Sequence, residues 1–162
     1  MWCKSHRADQ AARVLADRHY NRQKIGAPQF VPPGRCCVLL HKDATAFWVT
    51  SYPFAEYVKH QWAGAWICSA FRNESSDKAS VLIRQAVAAT RAHFGDPPEL
   101  GMVTFIDMKK VRPVKVRGDE KFGRTYVLAG FRVCGVTKGG LLAFQLRPED
   151  MPEACDALPP RP

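Results

Sequence analysis

The stretch Trp66-Ile-Cys-Ser-Ala-Phe-Arg-Asn-Glu-Ser-Ser-Asp-Lys-Ala-Ser80 runs directly into residues 81–94 and decides the fold. The apolar run at 65–71 predicts a buried strand, the polar residues after it a loop, and the helical spacing of apolar residues over 77–94 a long helix. A helix that begins after such a loop has unpaired backbone N–H groups in its first turn. Because these groups and the helix dipole attract negative charge, the stretch predicts a site for a phosphate-bearing ligand.

Other predicted strands and helices alternate around this stretch. They are a helix at 9–20, a hairpin at 35–40 and 46–50, a strand at 101–106, a polar insertion at 108–124, a short helix at 123–130 and a strand pair at 131–137 and 141–147. We expect the long helix to cross between two parallel strands. The order predicts one α/β (α+β) domain at 1–150, with a mostly antiparallel mixed sheet flanked by helices, and a Pro-rich tail at 151–162.

The composition favours a polyanionic partner. The chain has 162 residues and a formal net charge of +9, which points to nucleic acid first and to an anionic cofactor second. No apolar run approaches the roughly 20 residues that a spanning helix needs, and the N-terminus lacks the apolar core of a signal peptide. We therefore expect a cytoplasmic protein with no membrane partner, six reduced cysteines, and Cys68 and Cys134 as small hydrophobic residues.

Basic residues cluster after the first helix and in the polar insertion. The candidates for contacts with nucleic-acid phosphates are Arg22, Lys24, Lys109, Lys110, Arg112, Lys115, Arg117, Lys121 and Arg124. Few aromatics interrupt this set, which suits phosphate contacts better than base stacking. The alternative is a solvated charged loop. Tyr57 and Trp62 are either core residues or groups that stack on a flipped base.

Four residues carry candidate chemistry, each with a structural alternative. His19 is a general base or metal ligand, or else an imidazolium at a helix C-terminus, and Tyr20 follows it directly. Asp107 ends a buried strand, where polar side chains often face a ligand crevice, but it also suits a turn. Tyr126 is a proton donor or a core aromatic. Together the four supply the donor types of a hard-to-borderline metal site.

The chain resembles the GNAT superfamily of N-acetyltransferases. Gly123-Arg-Thr-Tyr-Val-Leu-Ala-Gly-Phe-Arg-Val-Cys-Gly135 is similar to the tyrosine, short helix, Gly-Phe, strand and glycine that end that fold. The loop from Arg72 resembles, in position and first residue, the coenzyme A loop Arg/Gln-x-x-Gly-x-Gly/Ala. Within the superfamily, the chain looks like the Mom-like phage proteins that modify adenine in DNA. The matching residues are His19-Tyr20, followed by Arg22, together with Asp107 and Tyr126. The resemblance covers roughly residues 10–148.

The resemblance implies an acyl-CoA-dependent enzyme that acts on DNA. The expected reaction adds a carbamoylmethyl-type group, derived from acetyl-CoA, to the N6 amine of adenine. The residues that the resemblance places at the cofactor are Ser69, Phe71, Arg72, Ser75, Ser76, Asp77 and Lys78. It implies catalysis by His19, Tyr20, Asp107 and Tyr126, with the same four holding an iron-type metal ion and Tyr126 protonating the leaving thiolate. A phage-encoded chain would act in the host cytoplasm, and a homodimer is left open.

The phosphate loop departs from the superfamily pattern, and other functions stay open. Ser75 and Asp77 stand where the pattern has glycine, and Asp77 as an N-cap would occupy helix N–H groups and repel phosphate, with Lys78 compensating. Arg72 binds an anion or pairs with a neighbouring carboxylate. One alternative is an N-acetyltransferase for a small amine or a protein. Another is a non-catalytic DNA-binding protein on a degenerate acyltransferase fold.

Overall fold

The computed structural model describes all residues from Met1 to Pro162, and a mixed sheet forms its centre. The strands are β1 (Trp2–Lys4), β2 (Arg35–His41), β3 (Ala46–Tyr52), β4 (Trp66–Asn73), β5 (Met102–Ile106), β6 (Val114–Val116), β7 (Asp119–Lys121), β8 (Arg132–Val136) and β9 (Leu142–Leu146). Seven of them form the sheet in the order β1-β2-β3-β4-β5-β9-β8, and β6 and β7 pair separately. Only β4 and β5 are parallel, so the predicted mostly antiparallel mixed sheet is confirmed.

Helices cover both faces of this sheet. The helices are α1 (Gln10–Asp17), α2 (Ala79–Phe94) and α3 (Arg124–Leu128), with 3-10 turns at Ala55–Tyr57 and Pro148–Asp150. Leu15 of α1 packs with Val38 and Phe47 on one face. Ile83 of α2 lies in the larger core on the other face, which is continuous with Phe131 just beyond α3. The sheet therefore has an α1 side and an α2–α3 side.

The long helix forms because one of its sides is fully apolar. Leu82, Ile83, Ala86 and Val87 are at most 1% exposed, and the burial of each of the three larger side chains contributes about 1.5–3 kcal/mol. α2 joins the parallel strands β4 and β5, as predicted. It begins two residues later than the predicted start at 77.

The first helix is shorter than predicted. Asp9 caps it by accepting the N–H of Ala11 at 2.9 Å, and it ends at Asp17 with Arg18 as its C-cap. The predicted helix at 9–20 was therefore wrong over its last three residues. His19 and Tyr20 lie in the segment that follows α1, and so they are free to approach the sheet.

Three further elements differ from the prediction. The short edge strand β1 was not predicted, and the polar insertion contains the β6–β7 hairpin. The segment at 151–162 is docked rather than a free tail, because Leu158 N donates to Trp2 O at 3.0 Å and Lys4 N donates to Leu158 O at 2.8 Å. These bonds place the end of the chain beside the edge strand β1.

No helix of the structure combines the length and the apolar character that crossing a membrane requires. All six cysteines are free, as expected. Cys68 is buried and Cys134 is half-buried, so the prediction of a buried residue is confirmed for Cys68 and only in part for Cys134.

Candidate functional site

A cleft opens in the sheet where the two parallel strands part. β4 and β5 pair from Trp66 with Met102 to Cys68 with Thr104, and no further. Beyond that point β4 continues along β3, while β5 continues along β9. The diverging strands leave a cleft of about 560 Å³ between them. A crevice beyond the carboxyl ends of parallel strands is a common ligand site in open sheets.

A β-bulge at Ser69 lies at the point of divergence. Thr50 of β3 pairs with Cys68 and Val49 pairs with Ala70, so Ser69 is the extra residue of β4. Cys68 packs on the α2–α3 side, whereas Ala70 packs on the α1 side. The extra residue therefore reverses the strand's alternation and turns Phe71 toward the same side as Cys68. Bulges of this kind re-aim side chains and are frequent next to active sites.

The segment Arg18–Asn21 crosses the cleft from one strand to the other. On the β4 side, Asn21 Nδ2 donates to Ser69 O at 2.8 Å, and Arg72 Nη1 donates to Arg18 O at 2.9 Å. On the β5 side, the Tyr20 hydroxyl donates to Phe105 O at 3.4 Å. The structure thus brings His19 and Tyr20 into the cleft.

His19 has no free lone pair in this arrangement. Its ring stacks on Tyr20 with centroids 4.7 Å apart, and its Nδ1 accepts the N–H of Asn21 at 3.2 Å. Burial lowers the pKa of His19, which keeps the imidazole neutral near pH 7. A neutral ring with an occupied Nδ1 orients the segment rather than serving as a charged helix cap or an available base.

Tyr126 forms part of the cleft wall and part of the core. Its ring packs against Phe131 and Phe144 with centroids 5.4 Å and 6.2 Å apart, and its hydroxyl lies 3.9 Å from Cys68 Sγ. Burial raises the pKa of Tyr126 well above its ordinary value, so the hydroxyl keeps its proton and is a donor. Burial also raises the pKa of Cys68 to about 12, which makes this thiol a poor nucleophile.

Asp107 lies beside Tyr20, immediately after β5, but its carboxylate does not line the cleft. Its Oδ1 accepts the N–H of Lys109 at 3.0 Å, so it stabilises the turn that opens the polar insertion. Burial chiefly, and the negative charge of Asp107 to a smaller extent, raise the pKa of Tyr20. The turn role therefore describes Asp107 better than a role inside the cleft.

Three of the four predicted metal ligands, His19, Tyr20 and Tyr126, line the cleft, and Asp107 does not. No group of three or more His, Cys, Asp or Glu side chains in the structure is arranged to hold a metal ion. His19 Nδ1 and Asp107 Oδ1 are both occupied by backbone N–H groups, and the hydroxyl of Tyr126 lies against Cys68. An iron-type ion at these residues stays a prediction, and we derive no chemical step through it.

Side chains hold the phosphate loop at 73–78 in place of glycine. Asn73 Oδ1 accepts the N–H of Ser75 at 2.9 Å, and Asn73 Nδ2 donates to Asp77 O at 2.8 Å. The hydroxyl of Ser75 accepts the N–H of Asp77 at 3.1 Å. Ser75 therefore contributes to the loop's own hydrogen bonds, while Ser76 remains exposed beside it.

Asp77 does not cap α2. Lys78 occupies the N-cap position and makes no side-chain capping bond. The carboxylate of Asp77 instead accepts a hydrogen bond from Nε2 of the buried His41 at 2.7 Å. The first turn of α2 therefore carries no carboxylate on its N–H groups, while Asp43, Glu74 and Asp77 line the space beside the loop that leads into it.

Arg72 pairs with a carboxylate, as the second of its two predicted roles requires. Glu74 accepts from Nε of Arg72, and it binds the guanidinium of Arg18 through two contacts of 2.8 Å each. These hydrogen bonds lower the pKa of Glu74 to about 2. Glu74 does not line the cleft, where the charged residues are all basic: Arg18, Arg72, Lys110 and Arg112.

Most of the predicted nucleic-acid residues are exposed, but Arg22 is not. Only 8% of the Arg22 side chain is exposed, because it binds Asp17 at 2.8 Å and the carbonyls of Ala27 and Gln29 at 2.8 and 3.1 Å. Arg22 therefore holds its loop together and is not available to phosphates. The exposed residues are Lys24, Lys109, Lys110, Arg112, Lys115, Arg117 and Lys121, and Arg124 is half-buried.

The two aromatic residues proposed for base stacking separate in the structure. Tyr57 is 74% exposed and lies against Phe54, whereas Trp62 is 6% exposed and packs on Phe105 with centroids 5.7 Å apart. Trp62 is therefore a core residue. Tyr57 remains a surface aromatic and does not line the cleft.

Sequence reasoning missed three contributors to this site. They are the bulge at Ser69, the bridging amide of Asn21 and the His41–Asp77 pair. Asn21 follows His19-Tyr20 directly, and this adjacency was the one feature of the sequence that could have indicated its place at the site. The other two depend on pairing between distant parts of the chain.

No protein-family model, no curated protein and no solved structure matches this chain. Membership of the GNAT superfamily thus stays a prediction from the residues quoted above.

Proposed function

We propose that the chain is an acyl-CoA-dependent transferase with a GNAT-like fold that acts on a base in DNA. The observation that carries the proposal is the divergence of β4 from β5 beyond the Cys68–Thr104 pair, beside a loop that leads into the uncapped start of α2. Acetyl-CoA carries a negatively charged pyrophosphate and a reactive thioester. The start of α2 suits the pyrophosphate, and the cleft at Tyr126 suits the thioester.

The charges around the cleft support an anionic donor. Of the cleft's four basic lining residues, Arg18 and Arg72 are paired with Glu74, so Lys110 and Arg112 are the two left for an anion. Asp77, the residue that argued against a phosphate here, is held by His41. The start of α2 can therefore attract a pyrophosphate without a competing carboxylate on its N–H groups.

The chemical step that balances with the available groups is acyl transfer. The acceptor amine attacks the thioester carbonyl, a C–N bond forms and the C–S bond breaks. The leaving thiolate takes the proton of the Tyr126 hydroxyl, and the proton released by the amine returns to Tyr126 through solvent. A carbamoylmethyl product contains a nitrogen that acetyl-CoA does not supply, so that product stays a prediction from the resemblance.

The exposed basic residues support DNA as the partner. Lys109, Lys110 and Arg112 lead from the cleft into the β6–β7 hairpin, where Lys115, Arg117 and Lys121 continue the series. Phosphate contacts of this kind make binding fall steeply with salt. A base of duplex DNA would have to leave the stack to reach the cleft, at a cost of a few kcal/mol.

No specific observation favours either alternative, an acyltransferase for small amines or proteins, or a non-catalytic DNA-binding protein. A protonated small amine needs a carboxylate partner, and none lines the cleft. The alternative of a non-catalytic DNA-binding protein rested on Asp77, whose carboxylate would repel a cofactor phosphate. This argument weakens because the Asp77 carboxylate is hydrogen-bonded to His41.

The test uses acetyl-CoA labelled in the acetyl group, incubated with the protein and an adenine-containing duplex. We expect labelled deoxyadenosine after nuclease digestion, and a rate lowered by about 100-fold in Tyr126→Phe. Transfer to small amines alone would point to an ordinary acyltransferase. DNA binding without acetyl-CoA binding would point to a non-catalytic protein.

A further inference from the structure

We infer that a pocket at the edge of the sheet, far from the cleft, binds a small carboxylic acid with an apolar body. The pocket lies between the edge of β2, the last two turns of α2 and the docked segment beside β1, and its volume is about 290 Å³. This volume is at the lower end of the range for ligand pockets, roughly 300–1,000 Å³, so it suits a small molecule. We call it the edge pocket, and its defining residues are Arg7, Cys36, Cys37, Leu39, Ala89 and His93.

The early end of β1 leaves part of the β2 edge without a partner strand. β1 pairs with β2 only from Leu39 to His41, and beyond it Ser5 N donates to Val38 O at 2.9 Å. Alternate residues of a strand direct their backbone groups to the same edge, so the N–H of Cys36 faces the open edge as Val38 does. No strand pairs with Cys36 on this side. Its N–H is therefore left for an acceptor from outside the sheet.

Arg7 supplies a charged donor beside this N–H. Its Nη2 donates to Gly34 O and lies 3.2 Å from Cys36 Sγ, which places the guanidinium at the open end of β2. Arg7 belongs to no ion pair, so its charge has no partner in the chain. A carboxylate accepts readily from a guanidinium and a backbone N–H together, because hydrogen bonds to charged groups are the strong ones.

The floor of the edge pocket is apolar. Cys37, Leu39 and Ala89 are each at most 4% exposed and belong to the core on the α2–α3 side. Burial chiefly raises the pKa of the Cys37 thiol to about 12, so the thiol keeps its proton and adds no charge. Inorganic phosphate or sulfate would gain nothing from such a floor, whereas an acid with a hydrocarbon body would bury its apolar surface there.

The charges around the edge pocket favour an anion over a cation. Asp156 is the one carboxylate that lines it, and Lys4 Nζ binds that carboxylate at 2.8 Å. The C-terminal end of α2 carries the negative end of the helix dipole, and Arg91 and His93 in its last turn offset it. The unpaired charge that remains is that of Arg7.

The edge pocket is separate from the cleft and from the start of α2. It shares no lining residue with the cleft. Ala89 follows Ala79, the first residue of α2, by ten positions, which is about 15 Å along the helix axis. An acid bound in the edge pocket is therefore distinguishable from one bound at the phosphate loop.

The experiment titrates hexanoate into the ¹⁵N-labelled full chain and follows the backbone amide signals by NMR. Hexylamine, which has the same length and the opposite charge, is titrated in parallel. We expect hexanoate to shift the signals of Cys36 and Ala89 to saturation and to leave that of Ala79 unchanged. Hexylamine should shift none of the three.

Three variants test the two parts of the edge pocket. Arg7→Gln should weaken hexanoate binding about tenfold, because a charged hydrogen bond is lost. Arg132→Gln removes an exposed cation from β8 at the other edge of the sheet, so it is the matched control and should bind as the wild type does. Ala89→Leu fills the pocket and should abolish binding. If Ala89→Leu does not fold, the half-buried Arg7 still provides the test.

Four results would overturn the inference. They are the absence of saturable shifts with hexanoate, equal binding of hexylamine, unchanged affinity in Arg7→Gln, and shifts confined to the start of α2. The last result would place the acid at the phosphate loop instead. None of these measurements involves acyl transfer, so a failure here leaves the proposed function as it stands, and a failure of acyl transfer leaves the edge pocket as it stands.

Discussion

Nε2 of His41 donates a hydrogen bond of 2.7 Å to the carboxylate of Asp77 and so keeps that carboxylate off the first turn of α2. His41 is 1% exposed, and its Nδ1 accepts the N–H of Asp43 at 3.2 Å, which leaves the proton on Nε2. The contact lowers the pKa of Asp77. A carboxylate that would otherwise compete with phosphate is therefore held by His41, the last residue of β2.

This relationship predicts that His41→Ala weakens acetyl-CoA binding. Once released, the Asp77 carboxylate can cap α2 and repel the pyrophosphate, so we expect a loss of about tenfold in affinity. The measurement is isothermal titration calorimetry on folded protein. In the double variant His41→Ala, Asp77→Ala no carboxylate remains, and affinity should return toward the wild-type value.

The double variant decides the interpretation. If it binds acetyl-CoA as weakly as His41→Ala does, the loss comes from damage to the core around His41. Asp77 would then have no influence on the phosphate site.

Removal of the Tyr126 hydroxyl should slow the chemical step without weakening donor binding. Tyr126→Phe keeps the ring that packs on Phe131 and Phe144 and deletes only the group near Cys68. We expect kcat to fall by about 100-fold while the Kd for acetyl-CoA stays unchanged. An unchanged kcat would make Tyr126 a core residue and nothing more.

The Arg18–Glu74–Arg72 cluster should give a pH-dependent contribution to stability. The pKa of Glu74 is lowered to about 2, so its stabilisation is complete above about pH 5 and is lost as the pH falls toward 2. Because these side chains are partly exposed, we expect Glu74→Gln to cost about 1 kcal/mol at pH 7. The difference from wild type in urea unfolding should shrink toward pH 3.

The exposed Glu56 is in no ion pair, which makes Glu56→Gln the matched control. It should leave the unfolding free energy nearly unchanged at both pH values. A constant cost of Glu74→Gln from pH 7 to pH 3 would mean that packing, rather than charge, accounts for its effect.

Gly101 precedes β5 at a position that admits no side chain. Its φ is +69°, and a Cβ would lie 2.1 Å from the carbonyl oxygen of Leu146 in the neighbouring strand β9. Gly101→Ala should therefore destabilise the protein by about 3 kcal/mol, from backbone strain and overpacking together. Gly26→Ala, with φ +83° and no atom nearby, carries the strain alone and should cost about 1 kcal/mol. Equal costs in thermal unfolding would contradict the close approach.

The sequence predicted the elements whose pattern is local. α2 was recognised because its apolar spacing is regular and Gly95 ends it. The end of α1 was placed too late, because the polar residues after Asp17 look helical while Arg18 and Asn21 form hydrogen bonds with β4 instead. Such tertiary contacts produce no periodic pattern in the sequence, so the sequence alone does not predict them.

The sequence predicted which residues lie at the candidate site better than it predicted what each of them does. His19, Tyr20 and Tyr126 do reach one cleft, whereas Asp107 stabilises a turn. Arg22 looks like any exposed cation in the sequence, but Asp17 and two carbonyls bury it. The bulge at Ser69 follows from register between β3 and β4, which no single strand encodes.

The most direct measurement is a nucleoside analysis of DNA from bacteria that express the chain, by digestion and mass spectrometry, with Tyr126→Phe as the comparison. The account predicts a deoxyadenosine of increased mass in cells with the wild-type chain and a strongly reduced amount with the variant. Unmodified DNA from cells that contain folded wild-type protein would contradict the central claim that the chain transfers an acyl group to a DNA base.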